Sequence, residues 1–237
     1  MIVRYVPRFM LVAAAVVGCG KAPAPLPLPP ASPIAPPPTI AAAPVDSTPL
    51  VVFVGTSLTA GYGLPDVNLA YPNLIQRKVD SLNLGYRVVN RGISGETSAG
   101  ALARIDWVLR LGIIRVLIVE TGANDGLRGQ PPDSTRANIQ AILDRAKQLD
   151  PPPKLVLTGM EALPNLGEVY TRQFRVIFPE LAKANGTALV PFLLETVAGV
   201  DTLNQADGIH PNRRGHQIVA ENVWRVLRGV LEQDRQR

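Results

Sequence analysis

From residue 50 onward, short apolar runs alternate with longer amphipathic stretches. Five of the apolar runs are rich in β-branched residues, and they predict buried strands. These runs are residues 50–54, 86–90, 115–120, 154–159 and 187–190. Apolar residues recur at helical spacing in five further stretches, near 71–83, 98–111, 133–149, 169–185 and 213–231. Strands that alternate with helices predict an α/β fold, here a three-layer α/β/α sandwich around a five-stranded parallel sheet.

The chain begins with a segment of a different character. Residues 1–18 combine two arginines with an apolar run of about ten residues, which is typical of a signal peptide and too short to span a bilayer. The following Cys19, in Val-Val-Gly-Cys, resembles the lipobox of bacterial lipoproteins, which predicts a lipidated cysteine. The alternative is an ordinary cleaved secretion signal in which Cys19 is incidental.

A linker separates this segment from the predicted domain at 50–237. Residues 20–49 hold eleven of the 23 prolines and many alanines, a composition that favours extended polyproline II. Such a spacer is useful when something is tethered, so we expect a lipid anchor in the membrane of a bacterial cell envelope. The domain would then face the periplasm or the exterior, the alternative being a soluble periplasmic or secreted protein.

Charge and cysteine content exclude several classes of protein. Without Arg4 and Arg8 of the predicted signal peptide, 22 of the 24 Lys and Arg residues remain against 19 Asp and Glu, a net charge of +3. No basic cluster is interleaved with aromatic residues, so we expect no nucleic-acid partner. Cys19 is the only cysteine, which excludes an intramolecular disulfide.

A serine follows the first predicted strand. Ser57 lies beyond the carboxyl end of that strand, where open parallel sheets bind their ligands. Its surroundings are not the Gly-x-Ser-x-Gly elbow, because Thr59 occupies the position of the second glycine. Taken alone, Ser57 is equally well explained as a helix N-cap.

Two further polar segments follow the second and third strands. In the first, residues 93–97, Gly95 lets the backbone present an N–H to a ligand, although a plain turn explains it equally well. In the second, residues 120–126, the Asn124 side chain is a donor suited to an oxyanion, worth about 3 kcal/mol in acyl transfer. Asn124 also fits an Asx-turn, and the neighbouring Asp125 is a second carboxylate that could orient a histidine.

The last segment contains one of the two histidines. Asp207 precedes His210 by three residues, so its carboxylate can hold the imidazole Nδ1–H and leave Nε2 free to take a proton from a serine. We interpret His216, which has no matched acid, as a surface or capping histidine. A metal site built from these three residues fits no zinc spacing, and we expect no cofactor.

Four motifs, in this order, resemble those of the SGNH (GDSL-like) hydrolase family, and more closely its branch of TesA-like thioesterase I, lysophospholipase and arylesterase enzymes. They are Gly-Thr-Ser-Leu-Thr-Ala-Gly-Tyr-Gly at 55–63, Ile-Ser-Gly-Glu-Thr at 93–97, Gly-Ala-Asn-Asp-Gly-Leu-Arg-Gly at 122–129 and Asp-Gly-Ile-His-Pro-Asn at 207–212. The resemblance covers residues 50–232 and implies a flavodoxin-like SGNH hydrolase fold.

The resemblance also implies a role for each matching residue. Ser57 corresponds to the nucleophile, His210 to its base and Asp207 to the acid that orients the base. The oxyanion hole would consist of the backbone N–H groups of Ser57 and Gly95 and the side chain of Asn124.

One residue departs from the family pattern. Gly-Asp-Ser of the family reads Gly-Thr-Ser here, so Thr56 stands in place of an aspartate. In the family that carboxylate helps to order the nucleophile loop and does not transfer protons. The departure leaves the predicted triad intact and bears on loop rigidity and the pH profile.

The implied function is that of a serine esterase acting on small-molecule or lipid esters, of arylesterase, lysophospholipase or thioesterase type, through an acyl-enzyme. One alternative is a carbohydrate O-acetyl esterase or acyltransferase on the same fold. An alternative of another class is a non-catalytic surface lipoprotein that binds ligands. We expect the acyl site in the loops after residues 120 and 159, lined by Leu127, Met160, Leu163 and Leu166, although loop packing explains these residues equally well.

Overall fold

The apolar runs form a five-stranded parallel sheet in the computed structural model, which describes residues 47–236. The strands are β1 (Leu50–Gly55), β2 (Arg87–Gly92), β3 (Ile114–Val119), β4 (Lys154–Thr158) and β5 (Ala188–Val190). Their order across the sheet is β2-β1-β3-β4-β5, and every neighbouring pair is parallel. All five predicted strands are confirmed, with ends that shift by one or two residues.

Seven α-helices occur in the described part of the chain. They are α1 (Ser57–Ala60), α2 (Tyr71–Ser81), α3 (Ser98–Val108), α4 (Ala123–Leu127), α5 (Pro132–Lys147), α6 (Glu168–Asn185) and α7 (Arg213–Asp234). The five long helices were predicted from their spacing of apolar residues. Helices α1 and α4 were not predicted, because four or five residues are too few for a helical period to be recognised.

The helices cover both faces of the sheet. Helix α2 packs against α7, whereas α5 packs against both α3 and α6. Because both faces are covered, the six residues of β1 are all buried, as expected for a central parallel strand. The predicted three-layer α/β/α sandwich is therefore confirmed, and its strand order is that of flavodoxin-like sheets.

The parallel arrangement gathers the loops that carry the polar motifs. The carboxyl ends of β1, β2 and β3 lie side by side, because Gly55 is paired with Gly92 and Val54 with Val119. Each of these three ends leads directly into one of the polar segments identified in the sequence. The fold thus brings residues from distant parts of the chain to one edge of the sheet.

The predicted signal peptide (1–18), Cys19 and most of the predicted linker (20–49) lie outside the described residues. Strand β1 begins at Leu50, the first residue of the predicted domain. Within residues 47–236, no helix has both the length and the apolar character needed to cross a membrane.

Candidate active site

Ser57, His210 and Asp207 form one continuous hydrogen-bonded chain. The Nε2 atom of His210 lies 2.9 Å from Ser57 Oγ, although 153 residues separate the two in sequence. On the other side of the ring, Nδ1 lies 2.7 Å from Asp207 Oδ2. The arrangement can transfer a proton from the serine hydroxyl to the imidazole while the carboxylate holds the ring in place.

Ser57 is the first residue of α1, directly after β1. The N-cap of α1 is Thr56, and Thr56 forms no side-chain hydrogen bond to the helix. Ser57 therefore does not cap the helix, and its hydroxyl contacts His210 instead. Its backbone N–H lies in the first turn, where N–H groups have no partner within the helix.

The turn at 207–210 holds the Asp207 carboxylate against His210. Gly208 has a φ of +74°, a left-handed conformation that glycine adopts without strain, and Asp207 Oδ1 accepts the N–H groups of Ile209 at 3.1 Å and His210 at 3.0 Å. Partial burial would raise the pKa of Asp207. The hydrogen bonds from His210 and Ile209 outweigh that effect, so the pKa is lowered and the carboxylate stays ionised.

Two residues that the sequence analysis missed support this turn. The ring of Tyr62 lies against the ring of His210, with centroids 4.7 Å apart. Gln205 Nε2 donates to the carbonyl oxygens of Tyr62 at 2.7 Å and Pro211 at 3.0 Å, so it ties the end of the serine loop to the histidine loop. The only indication in the sequence that Tyr62 belongs to the site is its place within the motif that contains Ser57.

The loop after β2 is held from three sides. Arg128 Nη2 donates to the carbonyl of Gly95 at 2.9 Å, and Asn124 Nδ2 donates to the carbonyl of Glu96 at 2.9 Å. The Glu96 carboxylate in turn forms an ion pair with Arg104, 2.6 Å from its Nε. Gly95 has a φ of +79°, which favours glycine. Asn124 lines the cavity beside Ser57 and His210, whereas Gly95 lies on the neighbouring loop.

Asp125 does not face a histidine. Its buried carboxylate accepts hydrogen bonds from the backbone N–H of Ser98 at 2.8 Å and from Thr135 Oγ1 at 3.2 Å. It therefore joins the beginning of α3 to α5, and the alternative that Asp125 orients the base is wrong.

Glu120 is a fully buried acid that the sequence analysis missed. It follows β3, and its carboxylate accepts hydrogen bonds from the backbone N–H of Thr56 at 2.7 Å, from Thr56 Oγ1 at 3.0 Å and from Thr59 Oγ1 at 2.8 Å. Burial raises the pKa of Glu120, and these hydrogen bonds counteract the rise only in part. The loop that carries Ser57 is thus bound to a carboxylate of the adjacent strand.

His216 is not a surface histidine. It is only 1% exposed, its Nδ1 accepts the backbone N–H of Tyr71 at 3.2 Å, and its ring is stacked on that of Tyr71. Burial lowers the pKa of His216 to about 4, so the ring is neutral at physiological pH. Residues 47–236 contain no group of three or more His, Cys, Asp or Glu side chains placed to hold a metal ion.

A cavity of about 590 Å³ opens beside Ser57 and His210. Leu127, Met160 and Leu163 line it, as do other mostly apolar side chains from the loops after β3, β4 and β5. Leu166 does not line it, because it ends the short 3-10 turn Pro164–Leu166 and its side chain lies near Gly129. The cavity can hold an apolar group attached to a carbonyl at Ser57.

Comparison with known proteins identifies relatives of the chain. The profile of the GDSL-like lipase/acylhydrolase family matches residues 53–218. Esterase TesA of Pseudomonas aeruginosa is 38% identical over 181 residues, which are 76% of this chain and 89% of the relative. Thioesterase 1/protease 1/lysophospholipase L1 of Escherichia coli K12 is 36% identical over 184 residues, 78% of this chain and 86% of the relative. A crystal structure of TesA, 38% identical, aligns with a TM-score of 0.72 over 76% of this chain and 99% of its own.

Proposed function

The chain belongs to the GDSL-like lipase/acylhydrolase family and is a carboxylic ester hydrolase, and from that premise we propose that Ser57, His210 and Asp207 carry out the hydrolysis. The observation that carries the proposal is the hydrogen-bonded chain from Ser57 Oγ through His210 to Asp207. In this proposal Ser57 is the nucleophile, His210 its base, and Asp207 the acid that orients the base.

The first half of the reaction acylates the serine. A serine hydroxyl is a weak nucleophile, so His210 Nε2 removes its proton as Oγ attacks the carbonyl carbon of the ester. The ionised Asp207 stabilises the imidazolium and fixes the tautomer with its proton on Nδ1. His210 then gives the proton to the leaving alcohol or thiol, and the acyl group remains on Ser57.

The oxyanion formed during attack requires hydrogen-bond donors. We assign this role to the backbone N–H groups of Ser57 and Gly95 and to the side-chain amide of Asn124, which lines the cavity next to the serine. The bonds from Arg128 to Gly95 and from Asn124 to Glu96 hold these donors in place before the substrate arrives. In the second half of the reaction, His210 takes a proton from a water molecule that attacks the acyl carbon. The bond to Ser57 Oγ then breaks, His210 returns the proton to the serine, and the carboxylic acid leaves.

The cavity favours an apolar acyl group over an acetyl group on a carbohydrate. Its wall is mostly apolar and includes Leu127, Met160, Leu163 and Phe192. Burying apolar surface there contributes roughly 25 cal/mol per Å². An acetyl group would leave most of this space unfilled. We therefore propose lipidic or aromatic esters and thioesters as the substrate class.

A covalent probe tests the catalytic assignment. The purified protein should hydrolyse p-nitrophenyl esters and be labelled by a fluorophosphonate at Ser57, and S57A should lose both properties. S134A removes an exposed serine from α5 and serves as the matched control that retains them. Undiminished turnover by S57A would overturn the mechanism.

We also propose that lipidated Cys19 anchors the protein to a membrane of a bacterial cell envelope. The proposal rests on the apolar run before Cys19 and on the proline-rich linker after it. Two acyl chains bury enough methylene groups for stable anchoring, whereas one is marginal. C19S should move the protein from the membrane fraction to the soluble fraction with its esterase activity intact. Retention of C19S in the membrane fraction would contradict lipidation.

A further inference from the structure

The buried carboxylate of Glu120 accepts hydrogen bonds from residues on both sides of Ser57, namely Thr56 and Thr59. Thr56 immediately precedes the serine and contributes its backbone N–H and its hydroxyl. Thr59 lies two residues after the serine within α1 and contributes its hydroxyl. Gly55 makes this approach feasible, because a Cβ at that position would collide with Thr59 and lie 2.7 Å from Glu120 Oε2. The serine segment is therefore packed directly onto this carboxylate.

The hydroxyl groups of Tyr71 and Thr59 form a hydrogen-bonded chain that ends on the Glu120 carboxylate. Thr59 Oγ1 lies 2.7 Å from the hydroxyl of Tyr71, and because Thr59 donates to Glu120, its oxygen accepts the Tyr71 proton. Tyr71 is the titratable group that faces Glu120, and the Glu120 charge helps burial to raise the pKa of Tyr71. In the part of the chain that the structure describes, Glu120 takes part in no ion pair.

A buried carboxylate without a cation opposes folding, because its desolvation is compensated only by hydrogen bonds. An acid at this position is therefore poorly explained by a contribution to the stability of the fold. What the acid does provide is a pair of acceptor oxygens at a fixed point of β3. They accept the N–H of Thr56, which precedes α1, and the hydroxyl of Thr59 within α1.

We propose that Glu120 is a positioning residue for the ester hydrolysis: through Thr56 and Thr59 it fixes Ser57 Oγ at the distance and angle that His210 and the substrate require. Thr56 takes part as a neutral donor, so the cluster contains a single carboxylate. The proposal rests on the assignment of Ser57 as the nucleophile.

A pair of variants separates positioning from folding. E120L removes both acceptors and leaves the Thr56 N–H without its buried partner. E120Q keeps an oxygen for the Thr56 N–H and the Thr59 hydroxyl, and its amide can donate to the Thr56 hydroxyl. Both variants are compared with the wild type in kcat, in KM and in the rate of fluorophosphonate labelling per active site, with active sites counted from the labelling endpoint.

We expect E120L to lower kcat and the labelling rate by a common factor of roughly 10 to 100 with KM within about twofold, since small misplacements of a reacting group have effects of this size. E120Q should stay within about threefold of the wild type. A merely structural role would reduce the number of active sites and leave the rate per site unchanged. E120L at the wild-type rate per site, or E120Q as slow as E120L, would overturn the proposal.

If E120L does not fold, the variant T56V tests the same proposal with a smaller change. It keeps the branched shape and the backbone bond and removes only the hydroxyl, so we expect a rate per site about three to ten times lower. An unchanged rate would again count against positioning. Labelling of the wild type at Ser57 tests the nucleophile separately, so failure of the proposed function is distinguished from failure of the role of Glu120.

Discussion

The ring of Tyr62 lies against the ring of His210, with centroids 4.7 Å apart and planes inclined by 45°. Tyr62 is about half exposed, and its carbonyl is tied to the histidine loop by Gln205. It therefore shields one face of the proposed base from solvent and restricts rotation of the imidazole. This contact joins the beginning of the domain to its last loop.

Removing the Tyr62 ring should weaken catalysis without affecting the fold. We expect Y62A to lower kcat/KM for a p-nitrophenyl ester by roughly three- to tenfold, because an aromatic contact of this kind contributes about 0.5 to 1.5 kcal/mol. Y62F keeps the ring and should stay within about twofold of the wild type. Equal rates for Y62A and the wild type would show that the contact does not position the base.

Asn124 should act on the transition state and not on substrate binding. N124A is expected to lower kcat by about 10² to 10³ with little change in KM, the usual effect of removing one oxyanion donor. Part of the loss will come from the missing bond to Glu96, and N124D, which cannot donate, measures the same loss with the side chain in place. A loss under fivefold for both variants would remove Asn124 from the oxyanion hole.

The sequence predicted the parts of the site that depend on topology or on short spacing. Ser57 was expected at the ligand-binding edge because it follows the end of a parallel strand, and its pairing with His210 was what the resemblance to the SGNH family implied. Asp207 was matched to His210 because three residues and a glycine allow a turn. Neither inference required knowledge of side-chain packing.

The residues that were missed depend on packing that no local pattern reports. Glu120 follows an apolar strand, and its burial is known only once Thr56 and Thr59 are in place. For His216 a signal was present: Val219 and Val223 follow it at helical spacing, which places the histidine on the buried face of α7. The absence of a matched acid says nothing about burial, whereas the helical spacing does.

Replacing Thr56 with the family's aspartate should create a new pH dependence. T56D would place a second carboxylate beside Glu120, and because two buried carboxylates cannot both ionise freely, the pKa of one is strongly raised. Below that pKa a shared proton joins the two groups. As the pH rises through it, repulsion should displace the Ser57 loop and kcat should fall, a decline that the wild type lacks.

The double variant T56D/E120Q tests the origin of this alkaline decline. It again contains one carboxylate, so its profile of kcat against pH should lose the decline while T56D keeps it. A decline of the same size in both variants would show that repulsion between the two acids is not the cause.

A bulky side chain in the cavity wall should select against long acyl groups. Ala198 is exposed and lines the cavity, so A198W should reduce the space without disturbing the core. We expect kcat/KM for decanoate esters to fall at least about tenfold, and that for acetate esters to change less than about twofold, because only the long chain loses buried apolar surface. A137W, on the exposed side of α5, is the matched control. Equal losses for both esters would place the acyl chain elsewhere.

Burial of His216 should make the protein less stable in mild acid. Its pKa is about 4 in the folded protein, against an ordinary value of 6.5 that applies in the unfolded chain. Between these values the unfolded chain binds a proton that the folded protein excludes. The contribution of His216 to the free energy of unfolding is therefore complete above pH 6.5 and decreases as the pH falls toward 4.

The size of this effect can be measured against a variant that does not titrate. H216N keeps an acceptor for the Tyr71 N–H, and a difference of about 2.5 pKa units corresponds to at most about 3 kcal/mol. Urea unfolding at several pH values from 7 to 4 should show the wild type losing up to about 3 kcal/mol more than H216N. Glu120 and Asp207 titrate in both proteins, so their contributions cancel in the comparison. Parallel curves for the two proteins would show that the neutral, buried His216 does not produce the acid sensitivity.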